Sequence, residues 1–570
     1  PWDGPAAIPF TDGSVVGAVL DRNGLRPSRY TVTHDHLVVM ASEAGVLDIA
    51  PENVCAKGRL EPGRMFLVDT AKGRIIEDEE IKETIAGRRP YGQWVRENLR
   101  SLEDFPPATP DLSFEEDLMT RQKLFGYTSE EIRMLLSSMG REGREPTGSM
   151  GDDIPLAILS RRPRLLYDYF KQLFAQVTNP PLDAIREQLV TSLVTTIGAE
   201  QNLFDETPEH ARQLVLERPV LTDGQMAQVR AQSRPALQTA ELSIVYPADR
   251  GGAGLQSRLE ALCHQALHAV DTGASLLILT DRGAGREQAP IPALLATAAV
   301  HHHLIREGVR TRCGLIVETG EAREIHHFCC LCGYGAGAVY PYLAYATLRE
   351  QARQDPAPAI APEQAVQNYL KAIDKGFLKV MSKMGISTLQ SYRGAQIFEC
   401  VGLDNEVVSS YFTWTSSRIG GADLDGLARE IERRVEKAFP MVDIPSQDVL
   451  EAGGVYKWRR DGERHQYNPL TIARLQQAVR GNERPAWEDF TRQIDQQNRE
   501  GGLWRGLFRL RPTGRPVPLD EVEPWNDVVR RFKTGAMSYG SISKEAHETQ
   551  AIAMNRLGAR SNSGEGGEDA

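Results

Sequence analysis

The sequence predicts a multidomain α/β protein: an antiparallel β layer, then a β/α region with a parallel sheet, then the opening units of a parallel β/α barrel. Three observations carry this reading. Short alternating strands separated by turn residues fill the first hundred positions. Apolar strands alternate with helix-length runs from Glu241 to Ala344. A strand–helix–strand pattern rich in small residues occupies the last forty positions.

In residues 1–100, SVVGAVLD (Ser14–Asp21), RYTVTHD (Arg29–Asp35) and HLVVMASE (His36–Glu43) alternate or run apolar. RMFLVDT and RIIED flank the hairpin-length turn Ala71-Lys72-Gly73. The first of these strands has no partner before it, so the layer is expected to be the end of a larger domain. Residues 101–120 hold the Pro-rich, acidic SLEDFPPATPDLS (Ser101–Ser113), a linker by composition. The pattern then turns helical. TSEEIRMLLSSMG is expected to start at a Thr128 or Ser129 cap and to end at Gly140.

Within residues 121–440, ELSIVYPA (Glu241–Ala248) opens a regular alternation. SRLEALCHQALHAVDTG, Ala293–Glu307 and Glu321–Leu331 read as helices; SLLILTD (Ser275–Asp281), TRCGLIVETG and AVYPYLA (Ala338–Ala344) read as strands. Strands this apolar, spaced by such helices, imply a parallel sheet covered on both faces. Residues 441–525 are polar and Arg-rich, a connecting segment with helical runs such as TIARLQQAVRG. Residues 526–570 begin the barrel. FKTGAMSYGSIS (Phe532–Ser543) reads as a strand, SKEAHETQAIAMNRLG (Ser543–Gly558) as an amphipathic helix, and ARSNSGEGGEDA (from Ala559) as the next strand with its loop. A whole eight-fold barrel needs roughly 250 residues, so the sequence is expected to be a piece of something longer.

Composition narrows the function classes. A chain of 570 residues suggests several domains. A net charge of −11 with no long basic run argues against nucleic acid as partner. No apolar stretch approaches a membrane span, and PWDGPAAIPF lacks a signal-peptide pattern. Seven unevenly placed cysteines fit a reducing compartment, so a cytoplasmic protein is expected.

Several long segments resemble the large (alpha) subunits of the glutamate synthase family. LDRNGLRPSRY (Leu20–Tyr30) is similar to the close of that family's glutaminase domain, an Ntn-type antiparallel layer. GDDIPLAILS, YDYFKQLFAQVTNPPLDAIRE (Tyr167–Glu187), GAEQNLF (Gly198–Phe204), HHFCCLCGYGAGAVYPYLA (His326–Ala344) and LKVMSKMGISTLQSYRGAQIFE (Leu378–Glu399) resemble its central domain. TGAMSYGSIS and SNSGEGGED resemble the start of its FMN-binding (β/α)8 domain. The resemblance covers essentially the whole chain, in order. It implies L-glutamate made from L-glutamine and 2-oxoglutarate by glutamine hydrolysis, internal ammonia transfer and FMN-dependent reduction of 2-iminoglutarate. It also implies a [3Fe-4S] cluster and an electron source, either a small subunit with NAD(P)H and FAD or ferredoxin. The N-terminal Cys nucleophile, the cluster ligands and most flavin contacts are expected outside these residues. No catalytic residue is therefore expected inside, and the piece alone should be inactive and hold little flavin.

A flat flavin ring lies against backbone at a barrel mouth, where only small residues permit close approach. Gly535, Ala536, Ser538, Gly540 and Ser541 offer such an approach, and the resemblance assigns flavin contact to Ala536, Met537, Ser538 and Tyr539. Without the resemblance, a tightly packed strand is the plainer reading. In SNSGEGGE, Gly564 is expected to admit a substrate carboxylate near backbone N–H groups, and Glu568 to hold ammonia or ammonium. A solvated acidic loop is the plain alternative.

Other motifs read as structural. RNGLRP is a turn in which Asn23-Gly24 supplies positive φ and Pro27 the exit, rather than an arginine site for a carboxylate. His326, His327, Cys329, Cys330 and Cys332 contain one CxxC, short of the four convergent ligands of a closed zinc site; packing is expected and no metal. His301, His302 and His303 are consecutive on a helix and point about 100° apart. Lys379, Lys383, Ser387, Tyr392 and Arg393, near Gly385 and Gly394, either line the internal ammonia route or form a turn that packs a buried strand. Two other functions compete: a scaffold or binding module with a degenerate barrel, and a stand-alone FMN oxidoreductase, which needs a full barrel.

Overall fold

The computed structural model describes residues 5–21, 24–113, 116–148, 151–173, 187–354, 360–441, 449–512, 514–537 and 540–562. Two compact units divide the chain, Pro1–Leu507 and Phe508–Ala570. Parallel and antiparallel sheets both occur, with helices between them, so the fold is mixed α/β.

At the N-terminal end, β1 (Ala7–Thr11), β2 (Val15–Leu20), β3 (Arg29–Thr33), β4 (Val38–Ala41), β5 (Val54–Arg59), β6 (Met65–Asp69) and β7 (Arg74–Ile76) form two antiparallel sheets, ordered β1-β2-β6-β7 and β4-β3-β5. Ala18, Leu20 and Leu60 make a small core, with Tyr30, Met40 and Phe66 packed on it. The expected hairpin joins β6 and β7, with Gly73 at φ +64°, where a side chain would be strained. The first strand seen in the sequence does have a partner before it. β1 pairs with β2 along its length, from Ala7 against Leu20 to Thr11 against Val16. It was missed because AIPFT is exposed at every position and carries Pro9, so it lacks the alternation of a half-buried strand.

The short strands β8 (Arg100–Ser101), β9 (Phe170–Gln172), β10 (Thr195–Gly198) and β11 (Gln213–Leu216) precede the main sheet. That sheet is built from β12 (Thr239–Ser243), β14 (Leu276–Thr280), β16 (Gly314–Glu318) and β17 (Ala338–Tyr340), while β13 (Val245–Pro247) and β15 (Gln288–Pro290) form a separate two-stranded sheet. Its order is β12-β14-β16-β17 and every pairing is parallel. All residues of β14 and β16 are buried, which is why these strands read as continuous apolar runs. Helices Gly251–Asp271, Ala293–Arg306 and Ile325–Gly333 cross over between the strands. β18 (Phe398–Leu403) and β19 (Ser416–Ala422) then form a parallel pair, with β9 antiparallel on the other edge. One continuous core runs from Leu102 to Ala438.

Several expected boundaries move: the helix expected from Glu321 starts at Ile325, the one expected from Ser257 starts at Gly251, and four further changes have a physical cause. ELSIVYPA is two strands: β12 joins the parallel sheet, whereas β13 leaves it to pair antiparallel with β15. Ile244 at the switch is fully buried, so hydrophobicity gives no hint of it. AVYPYLA is a strand only to Tyr340, because Pro341 has no N–H for a ladder and the helix Tyr342–Gln354 follows. The helical run that starts after the Thr128 capping box does not stop at Gly140 but at Glu142, with Gly143 at φ +63° as its cap. Gly140 is instead a packing glycine: a Cβ there would stand 2.8 Å from Leu348 Cδ2. Finally, FKTGAMSYGSIS and ARSNSG do not form strands among the described residues. They meet at a single parallel bridge, Lys533 to Arg560. Phe532 remains 61% exposed beside it, so burial does not drive the ladder further.

Candidate functional site

In open parallel sheets, ligands gather beyond the carboxyl ends of the strands. At that edge here, Asp281 follows β14, Thr319 and Gly320 follow β16, and Tyr342 follows β17. Asp281 is fully buried and accepts from Thr319 Oγ1 (2.6 Å), Tyr342 Oη (2.9 Å) and the Gly320 N–H (3.1 Å). Burial pushes its carboxyl up to about 7, against the lowering effect of the Thr319 hydroxyl. Glu318, at the end of β16, accepts from Thr280 Oγ1 (2.6 Å), Arg282 Nε (3.0 Å) and Arg230 Nη1 (3.1 Å). Arg121 donates to Glu116 (2.6 Å), to Tyr342 Oη (2.9 Å) and to the Arg282 carbonyl (2.9 Å). Arg282 in turn holds the carbonyls of Asp111 (3.0 Å) and Ser113 (2.9 Å).

Here charge meets charge: the acids of the edge are held by the protein's own arginines. Such a network locks the segment around Asp111 onto the sheet. Sequence reading passed over Asp281 and Glu318. The available signal was their position, an acid at the end of each of two wholly apolar strands, SLLILTD and GLIVE.

The tail carries the residues expected to face a flavin. Ala536 is exposed and Met537 half-buried, in a stretch without regular structure. Nothing lies within 4 Å of the position a Gly535 Cβ would take, so the backbone there presents an open face. Ser538, Tyr539, Gly564 and Glu568 lie outside the described residues, as do Arg22, Asn23 and Glu565. Around the open face the frame is ordered by local chemistry. Ser543 Oγ accepts from the Ala546 N–H (3.3 Å) and starts the helix Lys544–Arg556. Gly558 at φ +74° ends it, with the Ala559 N–H reaching Met554 O (2.9 Å). Arg560 then returns beside Lys533, and the Asn562 N–H donates to Thr534 Oγ1 (2.9 Å).

The segment after the long helix Pro362–Met384 turns at Gly385, φ +70°. Ser387 follows, fully buried, with an Oγ that has no partner. Its carbonyl accepts from the Ser192 N–H (2.9 Å), and Ser192 bridges Thr388 in parallel. Thr191 Oγ1 and Thr195 Oγ1, on the neighbouring stretch, are likewise buried without partners. Tyr392 packs edge-on against Phe377, with ring centroids 5.1 Å apart.

The Cys–His cluster is packed into the core. His326 Nε2 donates to the carbonyls of Tyr167 and Phe170, both at 3.1 Å, and the His327 ring stacks on Tyr167 at 4.3 Å. Burial raises the thiols of Cys329, Cys330 and Cys332, the last to about 12. The three consecutive histidines diverge: His301 Nδ1 accepts from Arg310 Nε (2.8 Å), whereas His303 meets His264 edge-on. All seven cysteines are free thiols. Among the described residues, no group of three His, Cys, Asp or Glu side chains is arranged to hold a metal, and no helix is long and apolar enough to cross a membrane.

Comparison with known proteins gives a consistent pattern. The glutamate synthase central domain profile matches residues 120–404. The class-II glutamine amidotransferase profile matches residues 1–94, and a conserved region in glutamate synthase matches residues 465–570. The "glutamate synthase [NADPH] large chain" of Bacillus subtilis is 50% identical over 569 residues, covering 100% of this chain and 37% of that protein. The "glutamate synthase [NADH]" of Schizosaccharomyces pombe is 44% identical over 586 residues, again over 100% of this chain and 28% of that protein. The "ferredoxin-dependent glutamate synthase 2, chloroplastic" of Arabidopsis thaliana is 45% identical over 584 residues, with 35% of its length covered. The chain thus spans about a third of the length of these curated relatives.

Proposed function

The chain belongs to the glutamate synthase family, and from that premise we propose that it forms the middle of an enzyme making L-glutamate from L-glutamine and 2-oxoglutarate. The observation that carries this reading is the order of the three matched regions within an alignment that covers 100% of this chain at 50% identity. Hydrolysis of the glutamine amide yields one glutamate and ammonia. Ammonia condenses with the keto group of 2-oxoglutarate, releasing water, and two electrons with two protons reduce the resulting imine to a second glutamate.

We assign residues 1–100 to the end of the Ntn-type glutaminase layer, 101–120 to a linker and 121–440 to the central domain. Residues 441–525 connect to 526–570, the first units of a (β/α)8 FMN domain. Ala536, Met537, Ser538 and Tyr539 would hold FMN; the open backbone at Gly535 fits a planar ring, since a side chain there would occupy its space. Bound FMN would supply the hydride for imine reduction. Gly564 would admit a 2-oxoglutarate carboxylate, and Glu568 would hold ammonium by a charge-assisted hydrogen bond.

The hydroxyls of Thr191, Thr195 and Ser387, buried and without partners, suit transient hydrogen bonds to ammonia crossing the central domain. A [3Fe-4S] cluster does not fit the residues described: Cys329, Cys330 and Cys332 are sealed in the core with raised thiols, so its ligands belong to other parts of the full-length protein. The electron donor is a small subunit with NAD(P)H and FAD, or ferredoxin. Free cysteines support a reducing compartment, the cytoplasm.

The test uses the full-length protein that carries this chain, with amide-15N glutamine, 2-oxoglutarate, reductant and excess unlabelled ammonium. Two glutamates per glutamine are expected, with the label in the amino group of the new one. Label released to the medium, or no glutamate formed, overturns the reading. Met384→Trp and Ser387→Trp are expected to leave glutamine hydrolysis running while synthesis falls behind it; full coupling in both removes the proposed route.

A further inference from the structure

Away from the sheet edge, a cavity of about 640 Å³ opens between the turn at Tyr127–Glu131, the stretch Arg162–Asp168, the residues Arg323–His327, the helix Leu424–Ala438 and the strap Val449–Glu463. That volume suits a small organic ligand. Seven basic side chains, from Lys123 to Arg460, face six acidic ones in its wall.

Most of these charges are matched. Arg323 holds Glu131 at 2.9 Å, Arg164 holds Asp168 at 2.7 Å and Glu463 at 3.3 Å, and Arg162 and Lys437 share Glu451. Two groups stand apart. Arg434, 4% exposed, donates to the Arg164 carbonyl (3.1 Å) and has no carboxylate within ion-pair distance among the described residues. The acids that feel its charge most, Glu321 and Glu430, are themselves pushed up by burial, Glu430 to about 7. A buried guanidinium without a full counter-charge is costly. Glu324 accepts from Tyr456 Oη (3.2 Å) and faces Glu131, Asp168 and Arg323. Burial first, then Glu131, pushes its carboxyl up to about 8, so it holds its proton more tightly than an ordinary carboxyl and weakens the negative side of the wall.

We propose that this cavity binds a small dicarboxylate, one carboxylate on the Arg434 guanidinium and the other accepting a hydrogen bond from the Glu324 carboxyl. The Tyr456 hydroxyl holds one oxygen of Glu324 as acceptor and leaves the other to donate. Arginine suits the first contact because its planar fork matches a carboxylate. The site uses none of the residues assigned above to flavin, 2-oxoglutarate or ammonia, so it is a second anion site on the same protein.

Equilibrium dialysis of the full-length protein with labelled glutarate tests this. Wild type should bind one equivalent more than Arg434→Gln. Its affinity for that equivalent should fall about tenfold per pH unit above 8, as Glu324 loses its proton. Glu324→Gln, an amide that still donates, should bind with no such fall between pH 8 and 9.5, above the range in which Glu430 ionises beside Arg434. His327 is held well below its ordinary range and Tyr456 well above, so neither titrates across that window. Should Arg434→Gln fail to fold, Arg434→Lys carries the test: charge stays, the fork is lost, and binding should loosen about tenfold. Equal stoichiometry in wild type and the Arg434 variant overturns the assignment. So does a pH-independent affinity in wild type, or inorganic phosphate displacing the extra glutarate at equal concentration. Competition by 2-oxoglutarate against L-glutamate then tells substrate from product as the natural occupant.

Discussion

The parallel sheet and the tail are written in the same local grammar, strand, helix, strand, yet only one of them builds a ladder. β14 and β16 pair over their whole length, Leu276 with Gly314 to Thr280 with Glu318, and every residue of both is buried. The corresponding tail segments meet at Lys533 and Arg560 alone, and the helix between them, Lys544–Arg556, has no buried residue. Capping is as good in the tail as in the sheet. The difference teaches that helix ends are made by local hydrogen bonds, whereas the full-length parallel ladder of β14 and β16 forms where neighbours bury both faces of each strand. In residues 508–562 only Ala559 is buried among those described, while Phe508, Leu510, Trp525 and Phe532 are exposed.

That contrast can be broken most forcefully in the sheet. Leu279→Ala should cost about 2–5 kcal/mol, because Leu279 is fully buried in the central sheet and the site cannot collapse; denaturant melts followed by tryptophan fluorescence measure it. Asp281 sharpens the comparison through pH. The unfolded carboxyl is ionised above about 4, while the folded one keeps its proton to about 7, so the folded state binds the extra proton between those values. Wild type should therefore lose on the order of 4 kcal/mol relative to Asp281→Asn as pH rises from 4 to 7, and nothing further above. A parallel pH course for the two proteins removes Asp281 as a buried acid. Gly320→Ala should cost about 1–3 kcal/mol, since its Cβ would stand 2.6 Å from the Phe125 ring. In the tail, Ser543→Ala should cost about 1 kcal/mol of helix stability, read as faster amide exchange over the first turn of Lys544–Arg556. Ile552→Ser, at a position 51% exposed, should change the stability of this chain by less than about 0.5 kcal/mol; a larger loss would mean that the tail has an interior of its own.

Legibility followed the same division. The cap at Thr128 or Ser129, the helix that begins at Ser543, the hairpin at Gly73 and the alternation of strand and helix from β12 to β17 were all readable, because each rests on residues close in sequence. The strand switch at Ile244 and the pairing of exposed β1 were not, since either pairing leaves the same apolar pattern in the chain. Site chemistry was less legible still. The motifs at 535–541 and 561–568 stood out as small-residue runs, but Arg434 and Glu324 sit in ordinary helical and loop sequence. Their proposed importance comes from their surroundings, a buried guanidinium without a paired carboxylate and a carboxyl crowded by Glu131 and Asp168, and that depends on segments far away in the chain, such as Val449–Glu463.

By itself, the sequence settled the order of the matched regions, the family and the capped start at Thr128, because these follow from long runs of residue identity and from hydrogen bonds within a few positions. Tertiary structure alone decided which strands found partners and which charges were neutralised. Burial and the field at a buried group are sums over residues distant in the chain, and no local pattern contains them.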